Sequence, residues 1–339
     1  MGGIDRRTLL GALACAAAVR GSHAVEVTPL SFQKLEGWED DDHSAALEVW
    51  VRSCAETGLG LMCDLPIRDA RWFFETHFTP VMIGDPNAAL FTGYYEPVIR
   101  ASRAPDSRWH VPLYAPPKDL RSRRPHYTRA QVERGALTGK GLELYWLSDP
   151  VDAYFLQIQG SGRLLLPDGE LVRLGFGGKN GHKYVSIGSI FNRRRKAEPG
   201  RYRAASLKRW LRANPRDGAA LMRKNPSFIY FIERTNLAPN HGPVGAIGVP
   251  LTTGRSIAVD PSVTQLGAPI WVETMASDGP IRRLMVAQDT GSAIKGHQRG
   301  DLFFGTGDYA GELAGSMRAG GRMISLIPND QFARFGSKE

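Results

Sequence analysis

From about Asn236 onward this 339-residue chain shows almost no helical periodicity. Short apolar runs follow one another instead: GPVGAIGVPLTTGRSIAVDP, GAPIWVET, RLMVAQDTG and DLFFGTG, each cut off by Gly or Pro. A segment of this kind cannot bury one stripe of a helix. It can build a compact β structure from short strands and tight turns, and the spacing predicts a β-barrel. The 38 glycines of the whole chain exceed average usage of about 7%, which favours turns and strands over long helices. No repeat of fixed period and no low-complexity linker interrupts the pattern. At roughly 100–200 residues per domain the length suggests two domains.

Helical signals are confined to the first two thirds. SAALEVWVRSCAET (44–57) spaces Leu47, Trp50 and Cys54 at helical intervals, and Gly58 is the expected stop. DARWFFETHF (69–78) reads as a second short helix with core aromatics. LFTGYYEPVI (90–99) reads as a strand with a glycine inside it. YTRAQVERGAL (127–137) is a short helix with Thr128 as N-cap. LELYWL (142–147), AYFLQIQG (153–160) and the two halves of RLLLPDGELVRLGF (163–176) read as strands, the last pair joined by a hairpin turn. SLKRWLRAN (206–214) returns to helix with Leu207, Trp210 and Leu211 on one face, then a further short helix and the strand PSFIYFIE.

The N-terminus carries export features. Arg6 and Arg7 precede the apolar run TLLGALACAAAV, and SHA at 22–24 supplies small residues at both outer positions of a cleavage triplet. The paired arginines resemble a twin-arginine signal. At 12 residues the run is too short for an ordinary membrane span. Residues 1–24 are therefore expected to be a signal peptide and the protein periplasmic. Cys15 opens an outer-membrane lipid anchor, but Ala12 holds the place where a lipobox has Leu, so a soluble exported form is favoured. Cys54 and Cys63 would then remain, either paired in an oxidising compartment or as two buried thiols. Three of the 43 basic and one of the 34 acidic residues lie in 1–24, so the rest carries +7. Such a charge is a solvated face or an attraction to a polyanion, which for an exported protein means cell wall or membrane surface. Runs such as RSRRPH (121–126) and NRRRK (192–196) lack the aromatic interleaving of a base-stacking platform, so nucleic acid is not expected.

The chemistry is narrowed by elimination. H-E-x-x-H and C-x-x-C are absent, and the histidines lack ligand spacing, so neither a catalytic metal nor a cofactor is expected. GKNGHK (178–183) is not a P-loop, and QIQGSGRL (157–164) is not a nucleophile elbow. What stands out is QDTGSAIKGHQRGDLFFGTG (288–307), with Asp289 and Asp301 in a glycine-rich run. On pattern alone each aspartate is more simply a turn cap.

The motifs decide between these readings. FTGYYEP (91–97), LQIQGSG (156–162), NGHKYVSIG (180–188), NPSFIYF (225–231), GAIGVPLTTGRSIAVDP (245–261), GAPIWVET (267–274) and AQDTGSAIKGHQRGDLFFGTGDYAGELAG (287–315) follow in this order. In that order they resemble the A-type lytic murein transglycosylases, whose "three-aspartate" module would here hold Asp260, Asp289 and Asp301. The resemblance implies a mainly β fold. Residues 25–97 and 236–339 would form a double-psi β-barrel catalytic domain, and 98–235 an inserted β domain with a few short helices, glycan lying in the groove between them. It implies Asp301 as the catalytic acid, not Asp308 of GTGDYAG, with Asp289 as a neighbouring carboxylate that would raise the Asp301 pKa or simply bind backbone amides. Thr92, Gly93 and Tyr94 would meet sugar, with Gly93 permitting close backbone approach and plain core as the alternative for Tyr94. Gln157, Gln159 and Ser161 would meet N-acetyl groups, both glutamines on one strand face, and Lys295 would either meet muropeptide carboxylates or simply cover the barrel.

The implied reaction cleaves the β-1,4 bond between N-acetylmuramic acid and N-acetylglucosamine in peptidoglycan glycan strands without water. Protonated Asp301 would donate to the leaving oxygen, then accept the proton of the muramic C6 hydroxyl as that oxygen closes a 1,6-anhydro ring. An apolar wall from Leu302, Phe303 and Phe304 would help Asp301 hold its proton. Proteins of a cell-wall synthesis complex are the further expected partners. The alternatives are a hydrolase, which needs a second carboxylate such as Asp289 or Glu96 to activate water, and a non-catalytic wall-binding module.

Overall fold

The computed structural model describes residues 25–57, 63, 69–120, 125–194 and 204–336. The expected signal peptide 1–24, the expected helix stop at Gly58, residues 121–124 of RSRRPH and residues 195–196 of NRRRK lie outside them. The fold is mainly β with some helices. Its strands are β1 Val27–Pro29, β2 Phe78–Ile83, β3 Leu90–Glu96, β4 Val98–Arg100, β5 Val111–Tyr114, β6 Glu143–Leu147, β7 Gly162–Leu165, β8 Leu171–Lys179, β9 Ile229–Glu233, β10 Ser256–Val259, β11 Pro269–Ala276, β12 Gly279–Thr290, β13 Arg299–Thr306, β14 Arg318–Ala319 and β15 Gly321–Pro328. The chain divides into two compact units. The first is 1–92 with 245–303 and 317–339; the second is 93–244 with 304–316.

The first unit is organised by a nine-stranded sheet in the order β1-β2-β15-β11-β12-β10-β13-β3-β14. Pairing around β11 is antiparallel on both sides, to β12 and to β15. β10 breaks the pattern: it runs parallel to β12 and antiparallel to β13. A bulge at the β10–β12 pairing skips Gln288 and sets Ala258 opposite Asp289. On the other flank Ala258 faces Asp301. Both aspartates of the glycine-rich segment therefore flank one residue of β10. Trp271, Leu284, Val286 and Ile324 from the sheet close a core with Trp38, Trp50, Phe73 and Phe74. Trp50 comes from the helix His43–Thr57 and the two phenylalanines from Ala70–His77, which Asp69 caps at Trp72 N. Trp72 of the same helix faces solvent, so not every aromatic of this run is core. Cys54 and Cys63 form a disulfide with a Cα–Cα distance of 5.8 Å. Closing so short a loop restricts the unfolded chain and stabilises by about 2–3 kcal/mol.

The second unit holds a four-stranded sheet, β4-β7-β8-β9, and the hairpin β5-β6. Helices Arg129–Glu133, Pro150–Gln159, Ile187–Arg194, Ala204–Ala213, Pro215–Met222 and Asp308–Ser316 accompany them. The N-cap expected at Thr128 forms, and Gln131 completes it into a capping box. Leu207 and Leu211 are buried against Tyr154, Ile187 and Phe191. One expectation fails here. Residues 153–160 are not a strand but the body of the helix Pro150–Gln159. Asp149 caps its start at Val151 N, Pro150 occupies the first turn, and Gly160 closes it in the left-handed conformation at φ 81°. Those end signals outweigh the β-propensity of Tyr, Phe and Ile inside. As a result Gln157 and Gln159, two residues apart on a helix, do not share a face.

Candidate active site

Asp301 lies on β13 between two residues that sink into the first unit. Leu302 is buried, and at Gly300 a Cβ would come within 2.6 Å of Ile257 Cδ1 and 3.1 Å of Phe91. The glycine before Asp301 is thus required by the close packing of β13 on β10 and β3, and the carboxylate is held on a strand rather than in a loop. Arg299 is two residues earlier and so shares its strand face.

Across from them stands Thr92 of β3. Its hydroxyl donates a short hydrogen bond to Asp301 Oδ1, and its oxygen accepts from Arg299 Nη2 at 2.8 Å. Arg299 Nη1 is itself anchored on the carbonyls of Leu90, at 3.2 Å, and Gly300. A guanidinium, a hydroxyl and a carboxyl therefore form one chain, Arg299 Nη2 to Thr92 Oγ1 to Asp301 Oδ1. Burial pushes the Asp301 pKa up; the Thr92 hydrogen bond and the Arg299 charge pull the other way without cancelling it. Burial likewise lowers the pKa of Arg299, against the pull of Asp301, with Arg318 adding to the lowering. Asp289 is not among the groups that shift Asp301; of the two roles expected for it, its contacts match the binding of backbone amides.

Asp289 lies two strand spacings away, about 9–10 Å across β10. Its Oδ1 accepts from the amides of Ala246 at 3.2 Å and Thr290 at 2.9 Å. Asp260, the third aspartate of the module, is buried, with 3% of its surface exposed. It accepts from Ser262 Oγ at 2.8 Å, Gly296 N at 3.0 Å and Lys295 Nζ at 3.2 Å. Burial alone would raise its pKa, but these donors outweigh it and bring the value to about 2. It is a permanently ionised staple for the loop before β13. Lys295, expected at muropeptide carboxylates or as cover for the barrel, has its ammonium on Asp260.

The remaining candidates belong to the second unit. A Cβ on Gly93 would meet Phe304 Cε2 at 2.6 Å and Ala314 Cα at 2.7 Å, so this glycine has a packing reason of its own. Tyr94 is partly buried on β3. Gln157 is buried and its Oε1 accepts from Arg129 Nη2 at 2.8 Å and Ile229 N at 3.4 Å, which commits that oxygen to the interior. Gln159 Oε1 accepts from Tyr95 N at 3.0 Å. Ser161 is almost wholly buried. Glu96, the other acid a hydrolase would need, is 1% exposed. It accepts from Arg163 Nε at 2.7 Å and Thr306 Oγ1 at 2.8 Å, with Arg173 at 3.6 Å.

The structure thus brings Asp301 together with Thr92, and adds Arg299, which sequence reasoning missed. The signal was present in R-G-D: two residues apart in a strand means one face. That Thr92 binds the acid, rather than only sugar, had no local signal.

Comparison with known proteins adds independent information. Residues 90–232 match the model of the MltA specific insert domain and 255–327 that of the 3D domain. A membrane-bound lytic murein transglycosylase A from Vibrio cholerae is 35% identical over 246 residues, which cover 70% of this chain and 65% of the relative. The protein of the same name from Escherichia coli K12 is 34% identical over the same shares. The aligned stretch is thus slightly under two thirds of these curated relatives. Among solved structures, a membrane-bound lytic murein transglycosylase from Agrobacterium tumefaciens superposes with a TM-score of 0.83 at 29% identity, covering 91% of this chain and 99% of that one. MltA from Neisseria gonorrhoeae gives 0.76 at 32%, covering 93% and 95%. E. coli MltA with bound chitohexaose gives 0.71 at 26%, covering 85% and 90%.

Proposed function

Since this chain belongs to the MltA family, we propose that it is a peptidoglycan lytic transglycosylase with Asp301 as its single acid and base. The observation that carries the proposal is the Arg299–Thr92–Asp301 chain. A general acid must hold its proton near neutral pH yet give it up to a leaving oxygen. Burial supplies the first property at Asp301. Thr92 and Arg299 supply the second, since both stabilise the carboxylate as it forms. The carboxylate so formed takes the proton of the muramic C6 hydroxyl, whose oxygen attacks C1 and closes the 1,6-anhydro ring. No water enters the step. A chitohexaose-bound relative supports a β-1,4-linked amino-sugar chain as ligand class.

A hydrolytic mechanism needs a second free carboxylate. Glu96 is engaged by two arginines and a threonine, and Asp289 by two backbone amides. Neither arrangement favours activation of water. We read the nine-stranded sheet as a double-psi barrel, supported by the parallel β10–β12 pair set among antiparallel strands and by the 3D-domain match. Periplasmic location is supported by the N-terminal export features and the Cys54–Cys63 disulfide. Among the described residues no helix is long and apolar enough to cross a membrane.

The test is mass spectrometry of muropeptides released from purified sacculi by residues 25–339. Products lighter by one water than reducing muropeptides, and absent with Asp301→Asn, are expected. Reducing muramic acid ends would make the enzyme a hydrolase. Binding to sacculi without release would make it a wall-binding module.

A further inference from the structure

The second unit contains a cavity of about 400 Å3 that the reaction above does not use. Arg100, Arg108, Lys208 and Arg212 line it together with Asp149, Asp152 and Asp308. Two facing helices set their order. Asp152, Phe155 and Gln159 follow along Pro150–Gln159, while Lys208 and Arg212, four residues apart, lie on one face of Ala204–Ala213. At the start of the first helix Arg212 binds both Asp149 at 2.6 Å and Asp152 at 2.5 Å. Two carboxylates share one guanidinium, which leaves that end one negative charge in excess. One helical turn further on, about 5.4 Å, Lys208 lies over the Phe155 ring at 4.8 Å, with its ammonium 3.4 Å from Tyr95 OH. Among the described residues no ion pair involves Lys208, Arg100 or Arg108, although other exposed arginines of the unit, such as Arg103 and Arg223, have carboxylate partners. Phe155 and Ile99 add apolar surface to the lining.

We infer that this cavity is a binding site for the acidic stem peptide of peptidoglycan, with a peptide carboxylate on Lys208 and a peptide ammonium or amide on the Asp149–Asp152 end. The inference rests on the peptidoglycan reading and names a part of the substrate that this reading leaves unassigned. The chemistry matches on three counts. A stem peptide carries several free carboxylates, which fit cations that have no ion pair. Its amino group fits an end with an excess of carboxylate. Its small methyl side chains fit the apolar part of the lining. A neutral glycan has no group that needs unpaired lysine or arginine.

The test measures peptide binding and glycan cleavage separately. Calorimetric titration of the full chain with the free tripeptide L-alanyl-γ-D-glutamyl-meso-diaminopimelate is expected to show saturable binding. Lys208→Met should weaken it at least tenfold and Lys208→Arg less than threefold, with melting temperatures unchanged. In parallel, Lys208→Met should raise KM on peptide-bearing sacculi while leaving cleavage of peptide-stripped glycan strands as in the wild type. Absence of tripeptide binding at millimolar concentration overturns the inference, as does an equal loss on both substrates. Tripeptide binding by a wild type that releases no anhydro product would instead sink the proposed activity and leave the peptide site standing.

Discussion

Asp260 and Asp301 belong to the same unit, arise from the same residue type and are both drawn out of water, yet their proton affinities move in opposite directions. Asp260 collects a backbone amide, a serine hydroxyl and a lysine ammonium, and its pKa falls to about 2. Asp301 collects one hydroxyl, with a guanidinium one step behind it, and its pKa rises. The count of donors decides. Burial disfavours charge at both sites, and only a full set of hydrogen bonds reverses it. A fully bonded carboxylate cannot act as an acid near neutral pH, so structural and chemical roles are separated by how incompletely a buried acid is satisfied.

The strongest way to break this contrast is to make the same substitution at both sites. Asp301→Asn is expected to lower the rate of anhydro-muropeptide release by about 10^3-fold or more, at the upper range for a general acid. Stability should not fall. A group whose folded pKa is raised above its ordinary value contributes stability that is lost as pH rises through the folded pKa. Removing the charge near pH 7 is therefore neutral or stabilising, which differential scanning calorimetry would read. A thermal loss at Asp301 equal to that of Asp260→Asn would show that both aspartates are structural.

Asp260 should show the opposite signature. Its folded pKa lies below the ordinary 3.8, so its stabilisation is present above about pH 4 and fades as pH falls toward 2. The difference is worth about 2 kcal/mol. Asp260→Asn should cost about that much in chemical unfolding at pH 7, and the gap to the wild type should close near pH 2. A gap that is constant with pH would mean that the carboxylate charge contributes nothing.

These two environments were unequally legible. Asp301 next to Arg299 could be read from R-G-D once the segment was taken as a strand, and the glycine follows from the contact with Ile257 and Phe91. The Thr92 contact could not, because 209 residues separate donor and acceptor and only the sheet order brings them together. Gln157 and Gln159 were misplaced because the interior of Pro150–Gln159 reads as strand while the helix is specified at its ends, by Asp149, Pro150 and Gly160. Gln157 then turned inward to Arg129, a buried cation 28 residues away. Its need for an acceptor is invisible in local pattern.

Thr92→Val sharpens the comparison from the other side. It removes the one side-chain hydrogen bond that the described residues give the Asp301 carboxylate, and leaves Arg299 Nη2 without its acceptor. The expected rate loss is about tenfold, the equivalent of one modest charge-assisted hydrogen bond of about 1.4 kcal/mol. Direction matters more than size. With the donor gone Asp301 holds its proton more tightly, so the alkaline limb of the pH–rate profile should move to higher pH. A limb that moves down, or stays put while the rate falls, would mean that Thr92 acts on substrate alone.

Asp289→Asn is expected to do least, and for that reason it is the sharpest check on a single-acid mechanism. Backbone register sets Asp289 about 9–10 Å from Asp301 across β10, close to the spacing at which inverting hydrolases hold a water between two carboxyls. Distance alone would therefore allow a second catalytic role. Hydrogen bonding argues otherwise. Asp289 Oδ1 serves the amides of Ala246 and Thr290, and an asparagine carbonyl can accept both. The rate should stay within about threefold of the wild type, since a neutral acceptor replaces a charged one at a loss of under 1 kcal/mol. The products should remain anhydro-muropeptides. A loss of about a hundredfold or more, with folding intact, would instead make Asp289 a working carboxylate, and the chemistry would then belong to the pair flanking Ala258 rather than to Asp301 alone.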